Sequence, residues 1–236
     1  MSKLGSAFDS PQAKRQYVRT LFATIADRYD FITVFLSYGQ DARWKRALVS
    51  HAQVRAGERA LDLASGTGDL ARGVAARGAK PVGLDITHRM MQLARVRVPG
   101  IPFLTGDMTA LPFADATFDL VTTGYGLRNV PDLPVAITEI ARVLKPGGRM
   151  LSLDFNNPEH AVVRAIYLAY LAAVGSLLGL VLHGDPDTYR YIPESIRRYP
   201  GAREIAALLA AGGFERVSVV PLLFGLMSLH IAHRSR

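Results

Sequence analysis

The chain has 236 residues, 28 of them basic and 20 acidic, giving a formal charge of +8 with histidine neutral, and 49% of it is apolar. That length suits one α/β domain with an insertion, and the apolar content excludes a disordered chain. Cysteine is absent, which removes disulfides, thiolate chemistry, Cys-ligated zinc and iron–sulfur clusters. The basic surplus points to an anionic partner. Lys and Arg are scattered rather than blocked, so no nucleic acid is expected. Met1 to Ser10 contains no apolar run, which argues against a cleaved secretory signal and favours a cytoplasmic location.

Taken in chain order, residues 1–56 read as a helical lid segment. Leu21, Phe22, Ile25 and Ala26, then Trp44, Ala47 and Leu48, recur at helical spacing. An alternating rhythm follows over 57–236. Arg59–Ala64 is a strand, followed by a glycine turn and a helix to about Arg77. Pro81–Leu84 is a second strand, followed by a helix to about Val98. Ile101–Thr105, Phe118–Thr123 and Arg149–Leu153 are further strands. Between the last two, Asp132 caps a helix with Pro134 in its first turn. Leu133, Ile137, Ile140 and Leu144 line its face, and Pro146-Gly147-Gly148 ends it. Strands alternating with helices predict a parallel sheet covered on both faces.

A helical insertion is expected at about 158–200. Near the end, Glu204–Leu209 is helical with Gly212-Gly213 as its stop. Val217–Val220 and Leu226–Ala232 then read as strands, although Ser218, Ser228 and His230 interrupt their apolar positions. No helix separates them, so they should pair antiparallel. The expected fold is therefore a doubly wound, Rossmann-like α/β sheet of seven strands, mostly parallel, with an antiparallel C-terminal pair. It resembles the class I AdoMet-dependent methyltransferases.

The chemistry gathers at the carboxyl ends of the strands, where open α/β sheets bind ligands. In Asp62-Leu63-Ala64-Ser65-Gly66-Thr67-Gly68-Asp69 a strand meets a glycine turn and a helix start. Gly66 and Gly68 allow close approach of the backbone to a ligand. Carboxylates at Asp62 and Asp69 would repel a pyrophosphate but suit a cationic sulfonium with an amino group. Asp85, about 20 residues on, is placed to accept both ribose hydroxyl protons, and Ile86 follows it. Asp107 could accept from an adenine amino group, with Met108 packing on its face. Gly124-Tyr125-Gly126-Leu127-Arg128-Asn129 sets a cation and an amide where a substrate would lie.

Four blocks carry a resemblance: Leu-Asp-Leu-Ala-Ser-Gly-Thr-Gly-Asp (61–69), Gly-Leu-Arg-Asn-Val (126–130), Arg-Val-Leu-Lys-Pro-Gly-Gly-Arg (142–149) and Tyr-Arg-Tyr-Ile-Pro-Glu-Ser-Ile (189–196). In order, they resemble the ubiquinone/menaquinone biosynthesis C-methyltransferase family of the UbiE/MenG type. The second and fourth are the family-specific ones. The likeness extends from Ile25-Ala26-Asp27-Arg28-Tyr29-Asp30 and Trp44-Lys45-Arg46 to Leu229-His230. The chain departs from the family pattern at Phe31-Ile32-Thr33-Val34, at Ser65 and at Ile231.

The resemblance implies S-adenosyl-L-methionine as methyl donor, no metal, and a ring carbon of a polyprenylated quinol or phenol as acceptor. The donor-binding set is then Asp62, Gly66, Thr67, Gly68, Asp85, Ile86, Asp107, Met108 and Gly124, while Arg128, Asn129 and Tyr29 face the substrate. Arg128 can stabilise a phenolate without itself titrating. The base is left open among His183, His230 and a water held by Arg128 and Asn129.

Competing readings are another lipid-like or small phenolic substrate, a binding protein without turnover, and metal-dependent methylation through Asp154, Asn156 and Asn157. Ala165 to Leu182 holds no charge and reaches the length of a membrane span. A span there would separate the last strands from their sheet. It reads instead as a lid in reversible peripheral contact with an anionic membrane surface, rimmed by Arg164, Arg190, Arg197 and Arg198. Packing of that helix against the core or a second copy of the chain is the other reading.

Overall fold

The computed structural model describes residues 3–158 and 160–236. Met1 and Ser2 of the expected N-terminal segment, and Glu159 of the expected insertion, lie outside them. One seven-stranded sheet runs in the order β3-β2-β1-β4-β5-β7-β6. Its strands are β1 (Arg59–Leu63), β2 (Lys80–Asp85), β3 (Phe103–Thr105), β4 (Phe118–Gly124), β5 (Leu144–Phe155), β6 (Phe214–Leu222) and β7 (Met227–Arg234). The first five pair parallel. β7 pairs antiparallel with both β5 and β6.

Helices α1 (Lys3–Ser6), α2 (Pro11–Ile25), α3 (Tyr29–Leu36) and α4 (Asp41–His51) precede the sheet. The parallel strands are joined through α5 (Asp69–Ala75), α6 (His88–Arg97) and α7 (Leu133–Val143). The segment from β5 to β6 forms α8 (Ala161–His183), α9 (Tyr191–Arg198) and α10 (Ala202–Ala211).

Ser10 caps α2: its Oγ accepts the Ala13 N–H at 3.1 Å, with proline in the first turn. The expected Asp132 cap forms as well, its side chain accepting the Val135 N–H at 3.1 Å at the start of α7.

Central strands are buried on both faces. From Ala60 to Leu63 every β1 residue is buried, as a sheet covered by helices on both sides requires. Leu61, Leu63 and Val121 pack with Ile137 and Ile140 of α7 and with Ile205 and Leu209 of α10. On the opposite face Ala60, Leu120 and Leu151 pack with Trp44, Leu48 and Val49 of α4. Thus α4 is a core helix, and the lid portion of the N-terminal segment ends with α3.

There Val18, Leu21, Ile25, Ile32 and Leu36 pack on Leu178, Tyr189 and Tyr191 of the insertion. Lid and insertion thereby roof the strand ends. β1 leads outward to β2 and β3, and β4 returns to its other side. That topological switch point opens the crevice in which the site lies.

Two expected boundaries differ. β5 begins at Leu144, immediately after α7, so Pro146-Gly147-Gly148 does not end the helix and Leu144 does not belong to its face. Leu144 pairs with Phe118, the register shifts before Leu120 pairs with Arg149, and Gly147 takes φ 74° within the irregularity. The turn that was expected to stop the helix is absorbed by the strand as a bulge. β3 is shorter than Ile101–Thr105, starting at Phe103 after Pro102, whose ring leaves no N–H for a ladder.

Candidate active site

Asp62 organises the turn after β1. Its carboxylate accepts from Ser65 Oγ (2.6 Å), the Ala71 N–H (3.2 Å) and Thr122 Oγ1 (2.8 Å). Burial raises its pKa to about 6, although these three donors oppose the rise. Asp62 therefore ties β1, β4 and the start of α5 together and does not line the cavity.

Gly68 is also set back. It takes φ 88° and caps α5, and a Cβ there would lie 2.9 Å from Phe103. Thr67 faces the lid, donating to Asp30 at 2.8 Å beside Arg97, which pairs with both Asp30 and Asp69. Asp62, Thr67 and Gly68, expected as donor ligands, do not line the cavity and make the loop contacts just described. Of that turn, Gly66 and Ala64 reach the cavity.

A cavity of about 640 Å³ lies over the ends of β1, β2 and β4, and Gly66, Asp85, Ile86, Asp107, Met108 and Gly124 line it together. Asp85 Oδ2 accepts the Gly66 N–H at 3.0 Å and Oδ1 the Thr87 N–H at 2.8 Å. One bond per oxygen leaves lone pairs for a diol. Burial raises the Asp85 pKa despite those backbone donors.

Asp107 is more committed: Arg15 pairs with it at 2.7 Å and Thr109 donates to it through N–H and Oγ1. Met108 and Ile86 supply apolar wall. Two non-glycine residues here, Ala64 (φ 50°) and Tyr125 (φ 60°), sit in the left-handed region. Such strain is concentrated at functional sites. Gly126 beside them has no room for a side chain, since a Cβ would lie 2.4 Å from Thr123 Oγ1. A carboxylate for a diol, a second carboxylate and an apolar face form a fitting cradle for an adenosine.

A second cavity of about 600 Å³ lies behind the first and shares Phe22, Tyr29 and Tyr125 with it. Its walls are mostly apolar and aromatic, among them Leu21, Ile25, Ile32, Leu36, Phe155 and Tyr189, with Thr33, Ser37 and Thr188 between them. Arg128 is the one charged residue among them. It is only 5% exposed and pairs with Asp154, 1% exposed, at 3.2 Å. Its backbone N–H donates to the other Asp154 oxygen, and its Nη1 to Ser195 at 2.8 Å. Its Nη2 makes no hydrogen bond among the described residues, which leaves a donor for a ligand.

Asn129 lies on the first cavity. Its Nδ2 donates to the Tyr125 carbonyl at 2.8 Å, and its Oδ1 accepts from Tyr191 at 3.1 Å. Tyr29 lies between the cavities, and burial raises its pKa.

Asp154 is thus the counter-ion of Arg128, which removes it from the metal reading. The two candidate histidines are engaged elsewhere. His230 Nε2 bonds the Ala202 carbonyl at 2.9 Å in the β7 wall. His183 Nε2 meets the Tyr189 hydroxyl at 2.9 Å at the end of α8, and burial lowers its pKa.

Sequence reasoning missed Arg15, Phe22 and Tyr125 as cavity-lining residues. The signal for Tyr125 was present: a bulky residue between two glycines at the end of a strand.

The sequence profile of the ubiE/COQ5 methyltransferase family matches residues 10–234. A demethylmenaquinone methyltransferase of Thermus thermophilus is 40% identical over 220 residues, covering 91% of this chain and 100% of its own. A ubiquinone/menaquinone biosynthesis C-methyltransferase of Rubrivivax gelatinosus is 38% identical, covering 94% of this chain and 88% of its own. Among solved structures, a SAM-dependent methyltransferase from Thermotoga maritima superposes with a TM-score of 0.69 at 20% identity, covering 92% of this chain and 99% of that one.

Proposed function

The chain belongs to the ubiE/COQ5 methyltransferase family, and from that premise we propose that it transfers the methyl group of S-adenosyl-L-methionine to a ring carbon of a polyprenylated quinol in menaquinone or ubiquinone biosynthesis. One observation carries this reading: an adenosine cradle and an apolar cavity holding a single guanidinium meet at Tyr29, Phe22 and Tyr125. When bound, the donor supplies an electrophilic methyl on a sulfonium.

The chain's own residues do the rest. Asp85 would take the ribose diol, with Met108 and Ile86 against the adenine. Gly66 and Gly124 let the donor approach the backbone closely. Aromatic and aliphatic walls would hold the quinol ring and the first part of its tail, excluding water. The free Nη2 of Arg128 would stabilise the oxyanion that makes the ring carbon nucleophilic, staying charged throughout. Holding acceptor and donor in adjoining cavities supplies the positioning that an in-line displacement needs.

The reading extends to where the quinol is met. Phe31, Val34 and Phe35 of α3, Tyr38 in the turn after it, and Ile166, Leu177, Leu180 and Val181 of α8 are exposed, and Tyr38 stacks on Tyr170 of α8 at 5.7 Å. α8 is long and apolar enough to cross a membrane. Yet Tyr167, Leu168 and Leu171 pack on Ile196 of α9, and strands of one sheet flank it on both sides. Both facts support a helix lying on a bilayer surface.

The arginine rim is weaker than its sequence suggests. Arg190 pairs with Asp187, and Arg197 and Arg198 pair with Glu194. The apolar face therefore dominates the membrane contact.

The quinone profile of cells lacking this protein tests the reading. A demethylated quinone should accumulate and be cleared by restoring the chain. An unchanged profile would overturn it.

A further inference from the structure

Methylation of a quinol ring releases one proton, and that proton must leave a site walled largely by apolar and aromatic side chains. Tyr125 stands where both cavities meet, at the strained end of β4. Its hydroxyl does not end in the apolar wall: it donates to Asp41 Oδ1 of α4 at 2.7 Å. Asp41 is buried, and its Oδ2 lies 2.7 Å from Lys45 Nζ, which also reaches Asp69 at 3.0 Å. Asp41, Lys45 and Asp69 line a third, polar groove of about 1190 Å³ on the outer side, together with Asp30, Arg46 and Arg97. Tyr125 and Asp41 thus connect the apolar site to a polar opening in two short steps.

Resting on the functional reading above, we propose that Tyr125 and Asp41 form the proton exit of the reaction, Tyr125 as a catalytic residue receiving the quinol hydroxyl proton and Asp41 as the acceptor that passes it to the groove. The balance is complete. The quinol hydroxyl gives its proton to the Tyr125 oxygen as Tyr125 gives its own to Asp41, so Tyr125 never ionises. The electron pair of the ring carbon forms the new C–C bond, and the methyl–sulfur bond breaks onto sulfur. The ring C–H proton then moves to the ring oxygen, restoring the quinol hydroxyl, and the proton already held by Asp41 is the one net proton released to the groove.

Lys45 keeps the acceptor in place. Burial alone would lower its pKa, but Asp41, Tyr29 and Asp69 carry it above the ordinary lysine range, so it stays a cation beside the Asp41 carboxylate. The charged and titratable groups around this path are Lys45 of α4, Asp69 of α5, Tyr29 of α3, and Arg128 with Asp154 of β5. Of these, Asp41 alone accepts directly from Tyr125.

The test uses the full chain with saturating S-adenosylmethionine and a short-chain demethylquinol, comparing wild type, Tyr125→Phe and Asp41→Asn. Each variant should lower kcat by about 10²-fold, the common worth of a positioned proton acceptor. The residual rate should climb about tenfold per pH unit as hydroxide replaces the relay. The double variant should be no worse than the worse single one, because both act in one path. Calorimetric affinity for S-adenosylmethionine should not change. In stopped flow without the methyl donor, ionisation of bound 1-naphthol after a pH jump should be slower in both variants.

Full kcat in Tyr125→Phe, a loss with the wild-type pH profile, or wild-type naphthol kinetics in both variants would overturn the relay. Failure of the wild type to methylate any prenylated quinol would overturn the functional reading, a result separate from the first three.

Discussion

Arg128 and Asp154 bury an ion pair of 3.2 Å, and the same carboxylate also accepts the Arg128 backbone N–H at 3.1 Å. The pair fixes both the guanidinium and the turn that carries it, and Nη2 makes no hydrogen bond among the described residues. Arg128→Lys keeps the charge but loses Nε and the planar fork. Its kcat on the quinol should fall by about 10²–10³-fold, while calorimetric affinity for S-adenosylmethionine stays near wild type. Full turnover would remove Arg128 from the chemistry. Arg128→Ala is the poorer probe, because it strands the Asp154 charge at a cost of about 3–5 kcal/mol.

Asp85 offers the direct test of the donor cradle. Asp85→Ala should weaken S-adenosylmethionine binding by about 1.5–3 kcal/mol, the worth of hydrogen bonds to a charged group. Asp85→Asn keeps one acceptor and should lose less. Calorimetry that returned wild-type affinity for both variants would take Asp85 out of the cradle.

Asp62 sets a pH dependence of stability. Its pKa is raised from 3.8 to about 6 by burial. The native state therefore holds a proton that the unfolded chain releases first, and this group's contribution falls as pH rises through that window. By neutral pH the difference amounts to about 3 kcal/mol. Asp62→Asn lacks this titration but loses acceptor strength toward Ser65, Ala71 and Thr122. Denaturant melts should show a variant deficit that narrows as pH rises from about 4 to about 7. A deficit that widens would mean that Asp62 is held ionised.

Much of this site was legible locally. The strand–turn–helix at Asp62 to Asp69, Asp85 at the end of β2, and Gly124 to Asn129 after β4 lie close to the elements that present them, so spacing alone placed them. Pairings across long stretches of chain were not legible. Asp154 figured in the competing metal reading because its partner stands 26 residues away in the loop after β4. The Tyr125–Asp41 bond joins residues 84 apart. α4 read as lid because periodicity reveals an apolar face but not what covers it. Thr67 and Gly68 carried the motif, but spacing could not show that Thr67 bonds Asp30 of the lid or that Gly68 lies against Phe103.

The exposed faces of α3 and α8 should bind vesicles reversibly. Because most of the arginine rim is internally paired, co-sedimentation should occur with neutral as well as anionic lipid and depend only modestly on salt. Ile166→Asp and Leu180→Asp should each lower partitioning by about tenfold or more, the worth of burying such a side chain. No binding to either vesicle would assign the face to another contact. Retention after carbonate washing would show a spanning helix.

The most direct measurement of the central claim is the fate of a labelled methyl group. The protein is incubated with S-adenosylmethionine carrying a CD₃ group and a short-chain demethylmenaquinol or demethylubiquinol, and the product is read by mass spectrometry and carbon NMR. The account predicts CD₃ on a ring carbon, replacing hydrogen, with one S-adenosylhomocysteine formed per product. A label found on oxygen, or no transfer to either quinol while the donor binds normally, would contradict it.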